Sequence, residues 1–340
     1  MKILIPVDPE IPVPPKLYGG VERLVDGLIN AYVERGHEVV LLAHAESTNP
    51  KAKRYAWKNT SSRGLRNTLQ NAFTLLRVYH LEKPDVIHSF GRLMYLYPTL
   101  MTSKVGFLMT YGRFISPKST GLMSFLFGKR ANFTAAAGHM LNHLQHYQHK
   151  FTPVYNFTLT DYFVPDDTVA KEHVMFLGRI EDIKGTKECI ASALATHTKL
   201  IIAGNIQPGH DAYFAEHIKP HLEHPLIEYV GPVDDEQKKY YLQRSKAFLF
   251  PIKWEEPFGI VMAEAMACGT PVIAFKRGSV PEVVKDGETG YIVNDVPGMI
   301  DAIEKVDEID RTVVRQDCEQ RFSLAVIAEQ YLDLLAQIKL

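Results

Sequence analysis

The sequence predicts two doubly wound α/β domains, each built on a parallel sheet, and three observations lead there. Short apolar runs alternate with stretches of helical period along nearly the whole chain, the pattern of repeated βαβ units. The alternation stops at DYFVPDDTVAKEH, a polar segment broken by Pro165, and then restarts, which places a linker near 160–171. The chain's 340 residues are also enough for two domains, since about 100 to 200 residues make one.

In the first half, strands are expected at KILIPV (2–7), EVVLLA (38–43), DVIHSF (85–90), VGFLMT (105–110) and NFTAAA (132–137). Between the first two, GGVERLVDGLINAYVERG places Val21, Leu24, Val25, Leu28, Ile29, Tyr32 and Val33 at helical spacing and stops at Gly36. After the linker the strands are HVMFLG (173–178), KLIIAG (199–204), LIEYVG (226–231), AFLFPI (247–252) and TPVIAF (270–275), each followed by a segment able to form a helix. A first domain of 1–162 and a second beginning at 163 follow.

Composition narrows the function. Cys189, Cys268 and Cys318 are widely spaced and lack CxxC pairing, which argues against a disulfide framework or a structural zinc site and favours a reducing, cytoplasmic setting. The first strand meets Pro6 and Asp8 too soon for a signal peptide, and no stretch approaches ~20 apolar residues, so no span is expected. The net charge of −1 hides an asymmetry. Residues 1–160 hold 19 Lys and Arg against 9 Asp and Glu, whereas residues 161–340 hold 19 against 30. Within the basic half, KAKRYAWKNTSSRGLR at 51–66 interleaves Tyr55 and Trp57 with six cations. Such a surface suits peripheral contact with anionic lipid at the inner membrane face or an anionic acceptor; a solvated face balanced by the acidic half is the plainer alternative. No nucleic-acid partner is expected.

Open α/β sheets bind ligands beyond the carboxyl ends of their strands, so the loops leaving those ends hold the candidate chemistry. The first strand leads into PEIPVPPKLYGGVER, whose Gly19 and Gly20 open a helix and offer bare N–H groups to an anion. The first strand of the second domain ends at Gly178 and leads into GRIEDIKG, with Arg179 and Lys184 five apart around a turn. Two such cations suit a diphosphate, although a solvent-facing pair offset by Glu181 and Asp182 would read the same way. Further on, EEPFGIVMAEAMACGTPV (255–272) sets Glu256 and Glu264 eight residues apart around Phe258, Gly259 and Ile260. With Pro257 in the first turn and the helix running to Gly269, the two acids stand about 12 Å apart along the axis and about 80° around it. That suits an extended ligand with hydroxyls at both ends and backbone N–H groups at 258–260 between them, and is too long for paired glycosidase carboxylates. A capping acid and a surface acid are the alternatives; the apolar flank of Val261, Met262, Ala265 and Met266 weakens the second. His139, His143 and His146 fall at i, i+4 and i+7, a spacing that suits a divalent ion on a helix, but no acid lies near them and a polar helix face is preferred.

EPFGIVMAEAMACGTPVIAF followed by GSVPEVVKDGETGYIV resembles the donor-site signature of the retaining glycosyltransferases of family 4, which have the GT-B fold. GRIEDIKG resembles that family's diphosphate clamp, VPPKLYGGVER its Gly-rich loop, and RFSLAVIAEQYLDLL at 321–335 its closing helix. The resemblance covers nearly the whole chain. Its Pro-rich entry is similar to a short-chain subgroup that includes an avilamycin-pathway enzyme. The resemblance implies a donor domain of 163–320 and a closing segment of 321–340 that crosses back toward the first domain. It further implies transfer of a sugar from a nucleoside diphosphate sugar, with UDP preferred by analogy, to an unidentified acceptor hydroxyl. Glu264 would bind the ribose hydroxyls, Glu256 the transferred sugar, Arg179 and Lys184 the diphosphate, and Gly20 the same phosphates from the first domain. No metal or other cofactor is implied, because these cations stabilise the leaving group. Glu22, His88 and Tyr111 are the first-domain candidates for contact with sugar or acceptor.

Three departures stand out. DVIHSFG keeps His88 but has Phe90 where a second histidine is common, and MTYG has Tyr111 where histidine often stands. In PVYNFTLTDYF, Phe157 replaces a usual glycine, which is expected to reshape the hinge because positive φ penalises Phe. The rival readings are a GT-B sugar-nucleotide epimerase or hydrolase, and a non-catalytic carbohydrate or nucleotide binding protein.

Overall fold

The structure is a computed structural model that describes the chain except Leu17, Tyr18, Phe114, Lys339 and Leu340, with the side chains of Gln145, His146 and Tyr147 also outside the description. The chain separates into two compact units, Met1–Asn156 with Leu324–Leu340, and Phe157–Ser323.

The first unit runs β1 (Lys2–Pro6), α1 (Gly20–Glu34), β2 (Glu38–Ala43), β3 (Lys53–Ala56), α2 (Leu65–Glu82), β4 (Val86–Ser89), α3 (Leu93–Thr102), β5 (Gly106–Tyr111), α4 (Pro117–Phe127), β6 (Ala131–Ala135) and β7 (Phe151–Pro153). Its strands form one parallel sheet in the order β3-β2-β1-β4-β5-β6-β7. The second unit runs β8 (His173–Leu177), α5 (Thr186–Ala195), β9 (Lys199–Ala203), α6 (Asp211–His217), β10 (Ile227–Gly231), α7 (Asp235–Gln243), β11 (Ser245–Phe250), α8 (Ile260–Ala267), β12 (Val272–Phe275), α9 (Val280–Val283), β13 (Gly290–Val293), α10 (Val296–Lys305) and α11 (Arg311–Phe322). Its sheet is again parallel, in the order β10-β9-β8-β11-β12-β13. The central strands are apolar on both faces because helices cover both. In the second unit, for example, Phe176, Leu200, Ile202 and Leu249 pack with Ile190 of α5 and Met299 of α10.

The chain then returns to the first unit as α12 (Leu324–Ile338). Its buried stripe, Ile327, Ala328, Tyr331, Leu332 and Leu335, recurs at helical spacing. Arg35 at the end of α1 ties it down, reaching Glu329 at 3.2 Å and the Ala325 carbonyl at 3.2 Å. Gly106 admits its far end, since a Cβ there would lie 2.4 Å from Ile338 Cγ2.

Ten strands lie where the apolar runs place them, within a residue or two at either end. β3, β7 and β13 are additional. KRYA and FTP are short edge strands without an apolar run, and β13 is four residues of which only Gly290 is fully buried. The three cysteines are free and buried. Phe157 adopts no positive φ, which among described non-glycine residues occurs only at Lys83 and His197. It buries its ring instead, so the expected hinge penalty does not arise.

Candidate functional site

In the second unit the strand order reverses between β8 and β11, so the loops leaving these two neighbours diverge and leave room at their carboxyl ends. Backbone contacts fix the loops side by side. Gly185 has φ of 81°, and a Cβ there would sit 2.1 Å from the Pro251 carbonyl oxygen. The Lys253 N–H donates to the Ile183 carbonyl at 2.8 Å.

This arrangement carries Lys184 to Glu256. The ammonium lies 2.5 Å from Glu256 Oε2. The same oxygen accepts from Trp254 Nε1 at 2.9 Å, and the ammonium stands 5.0 Å from the Trp254 ring centre. The two side chains keep 12% and 16% of their exposure, so the pair is largely desolvated yet reachable. Glu256 is clamped from behind by the 276–279 turn: the Ser279 N–H donates to the Glu256 carbonyl at 3.1 Å, and a Cβ on Gly278 would lie 2.5 Å from the Glu256 nitrogen. Arg179, at the end of β8 after Gly178, pairs instead with Glu181 at 2.7 Å and keeps 37% of its side chain exposed. Asp182 serves Lys253 and Lys187, whose hydrogen bonds hold its carboxyl below the ordinary range. Offset by Glu181 and Asp182 therefore describes Arg179 only in part and Lys184 not at all.

The helix carrying Glu264 starts later than the sequence suggests. Gly259 is its N-cap at φ of 74°, and Pro257 and Phe258 precede it. A residue in the left-handed region interrupts a helix, so Glu256 lies in the loop and the axial projection of 12 Å does not apply. Phe258 is buried with its ring edge-on to Phe322, and its carbonyl accepts from the Ser279 hydroxyl at 2.7 Å. Ile260 opens the helix. Glu264 is buried. Its Oε1 accepts from Lys238 Nζ at 2.6 Å, while Oε2 is buried without a hydrogen-bond partner among the described residues. An acceptor oxygen with open lone pairs, fixed through its twin, is suited to a hydroxyl donor.

Lys238 is a residue the sequence reading missed. It lies on α7, 3.1 Å from Asp235 and 4.9 Å above the Phe163 ring. Burial disfavours its charge, but the Glu264 and Asp235 carboxylates outweigh that and raise its pKa. The stretch DDEQKKYY shows an ordinary polar helix; only the fold reveals which lysine turns inward.

In the first unit the reversal falls between β1 and β4. Gly20 begins α1, and a Cβ there would meet nothing within 4 Å. Gly19 precedes it tightly, 2.7 Å from Pro15 Cβ by the same construction. Leu17 and Tyr18 of the expected Gly-rich loop lie outside the described residues. The first turn already holds the buried carboxylate of Glu22. Burial raises the pKa of Glu22 and of Asp8, which pairs with Arg113 at 2.9 Å. The helix end expected to receive an anion is thus faced by the chain's own acids.

His88 is fully buried. Its Nδ1 is 3.2 Å from the Tyr32 hydroxyl and its Nε2 is 2.9 Å from Thr110 Oγ1, so contact with a sugar would require breaking one of these bonds. Thr134 donates to Thr110 at 2.8 Å, Tyr331 bonds to both threonines, and Phe90 packs 4.5 Å from the imidazole. Phe90 thus covers a structural histidine. Tyr111 is half-buried against Phe133 and Phe151, and burial raises its pKa. The helical face expected to present His139, His143 and His146 does not form, because the segment folds as two 3₁₀ turns. His143 Nε2 lies 2.9 Å from the Ile115 carbonyl, and the side chain of His146 is outside the described residues.

Residues 166–315 match the family described as Glycosyl transferases group 1, and residues 18–157 match Glycosyltransferase Family 4. The chain is 29% identical over 172 residues to phosphatidyl-myo-inositol mannosyltransferase of Mycobacterium leprae, covering 47% of this chain and 45% of that one. It spans between 35% and 48% of the length of the first curated relatives it matches. The crystal structure of AviGT4, a glycosyltransferase involved in avilamycin A biosynthesis, is similar with a TM-score of 0.74 at 20% identity, over 99% of this chain and 98% of that one. Anabaena HepE, in complex with UDP and glucose, is similar with a TM-score of 0.76 at 17% identity, over 99% of each chain. At such identities the structural likeness shows the fold, two parallel-sheet α/β domains of the GT-B type. With residues 166–315 matching one glycosyltransferase family model and residues 18–157 another, the chain carries two glycosyltransferase family domains on a GT-B fold.

Proposed function

We propose that the chain transfers a hexosyl group from a nucleoside diphosphate sugar to an acceptor hydroxyl, with retention of configuration. The observation that carries this reading is the pair at the β8/β11 reversal, where Lys184 is held between Glu256 and Trp254 with a small exposed remnant. An ammonium so placed stabilises the negative charge that grows on a leaving diphosphate, with Arg179 as the second cation. Its shared proton contact leaves Glu256 Oε1 to accept from a sugar hydroxyl. Glu264 Oε2, the unpartnered oxygen, accepts from the ribose. In the retaining course the acceptor attacks the face the diphosphate leaves, and its proton passes to that diphosphate. The positive charge comes from side chains, so the scheme calls for no resident metal. A uridine nucleotide is the favoured donor because HepE is described with UDP and glucose.

A melting-temperature panel of UDP, GDP, ADP and their hexose conjugates tests donor choice, since a ligand of the native state alone raises the melting point with its affinity. Lys184→Ala is expected to lower turnover by about 10²- to 10³-fold with a smaller loss of nucleotide affinity. Donor breakdown at full rate without any acceptor would turn the reading to a hydrolase or epimerase. Nucleotide binding without turnover of any donor and acceptor pair would turn it to a binding protein.

A further inference from the structure

The first unit distributes its exposed apolar side chains unevenly. Among the described residues, every large hydrophobic side chain classed as exposed in that unit lies on α2, α3 or α4. They form stripes at helical spacing, with Leu65 and Phe73 on α2, Met94 and Met101 on α3, and Leu122 and Phe125 on α4. Phe125 is 85% exposed. Crossovers between parallel strands are right-handed, and the connections β3-α2-β4, β4-α3-β5 and β5-α4-β6 all advance in the same direction along the sheet. The three helices therefore share one face, opposite α1. Side chains join them into a layer: Tyr97 of α3 packs edge-on to Phe127 of α4, and Arg130 donates to the α3 carbonyl of Leu100 at 3.3 Å.

The charge on this layer has one sign. Arg66, Arg77, Lys104, Lys118 and Lys129 are exposed and have no ion-pair partner among the described residues. Between 64 and 130 the acids are Glu82 and Asp85, and both are committed inward. Glu82 is buried between Lys2 at 2.8 Å and Lys53 at 2.6 Å, and Asp85 accepts the Lys2 N–H at 2.8 Å. The stretch at 51–66, by contrast, spends its aromatic residues internally: Trp57 is buried and donates to the Val7 carbonyl at 2.7 Å, and Tyr55 bonds to Glu82.

We propose that the α2-α3-α4 face docks on an anionic lipid bilayer, seating Phe125, Leu122 and the neighbouring stripes at the acyl boundary while the flanking cations meet lipid phosphates. Apolar insertion and electrostatic attraction together are what interfacial binding requires. A second copy of the chain fits less well, because a self-complementary contact sets this cationic face against itself.

The test is flotation of the full chain with vesicles of phosphatidylcholine alone and of phosphatidylcholine mixed with phosphatidylglycerol. The expected result is flotation with the mixed vesicles only, weakening as salt rises. Phe125→Ser with Leu122→Ser should weaken it by about tenfold or more with an unchanged melting temperature, as the residues are exposed. Arg66→Gln with Arg77→Gln should flatten the salt dependence. Absence of flotation with anionic vesicles, flotation unaffected by the α4 variant, or a dimer in light scattering that Phe125→Ser dissolves while vesicles are ignored, would each overturn the proposal.

Discussion

The two sheets reverse strand order at corresponding places, β1 beside β4 in one unit and β8 beside β11 in the other, yet the polar side chains around these reversals differ in kind. In the second unit they are ion pairs, Lys184 with Glu256 and Lys238 with Glu264, each retaining a lone pair or some exposure. In the first unit, apart from Glu22 and the Asp8–Arg113 pair, Tyr32, His88, Thr110, Thr134 and Tyr331 form a neutral network in which both nitrogens of His88 are spent. Charge that is paired but reachable is available to an anionic ligand. A neutral buried network is not, and serves to fix α1 and α12 against the strands. One topology thus supports two kinds of interior, and the difference lies in whether burial leaves any hydrogen-bonding capacity unspent.

Breaking the charged side should have the largest effect on stability. Lys238→Ala strands the buried Glu264 carboxylate and should destabilise the second unit by about 3 kcal/mol. Adding Glu264→Gln removes the stranded charge and should recover most of that loss, as measured by denaturant unfolding of both single variants and the double. Simple addition of the two single losses would mean the pair is uncoupled and the contrast between the units is false.

This contrast was only partly legible in the sequence. Apolar period set most strands and α1, and the signature around Glu256 pointed to the loops in which Lys184 meets Glu256, because both are local patterns. The inward turn of Lys238 and the hydrogen-bond partners of His88 were not legible. Lys238 reaches Glu264 across 26 positions and His88 meets Tyr32 across 56, distances in sequence that only the sheet order converts into contact. The start of α8 was misplaced because Pro257 suits a first helical turn, whereas the positive φ of Gly259 imposes a later start. The basic character of the first half was read from composition, with 51–66 as its densest part; there the buried Glu82 carboxylate engages Lys53 and Tyr55, which the sequence does not show.

The neutral side of the comparison can be sharpened by acid. Burial pushes the pKa of His88 down to about 3, against 6.5 for a free imidazole. Below about pH 6.5 the unfolded chain takes up a proton that the folded chain refuses until about pH 3, so stability is present above this window and falls through it on acidification, by up to about 1.4 kcal/mol per pH unit. His88→Gln should remove that contribution between pH 6.5 and 4.5, leaving that of His173, whose pKa burial also lowers. His88→Ala, which leaves Tyr32 and Thr110 without their partner, should destabilise by about 2 kcal/mol at neutral pH. Melting curves of the wild type and both variants across this range measure both effects, and an unchanged slope in His88→Gln would place the acid sensitivity elsewhere.

The smallest effect expected is at Glu82, where the first unit stabilises a buried charge as the second unit does. Hydrogen bonds from Lys2, Lys53 and Tyr55 lower its pKa to about 2, from 4.5. A lowered carboxyl stabilises the fold above the unfolded value and loses that contribution as pH falls from about 4.5 to 2. The Lys53 side chain is 63% exposed, so solvent screens this partner and Glu82→Gln should cost only about 1 kcal/mol at neutral pH. Salt separates it from His88. Added salt weakens exposed charge pairs and leaves burial of a neutral ring untouched, so the acid slope below pH 4.5 should shrink at high salt while the slope above it persists. Equal salt dependence in both windows would show that His88 answers to a charged neighbour rather than to burial, and the neutral character of the first unit's interior would have to be abandoned.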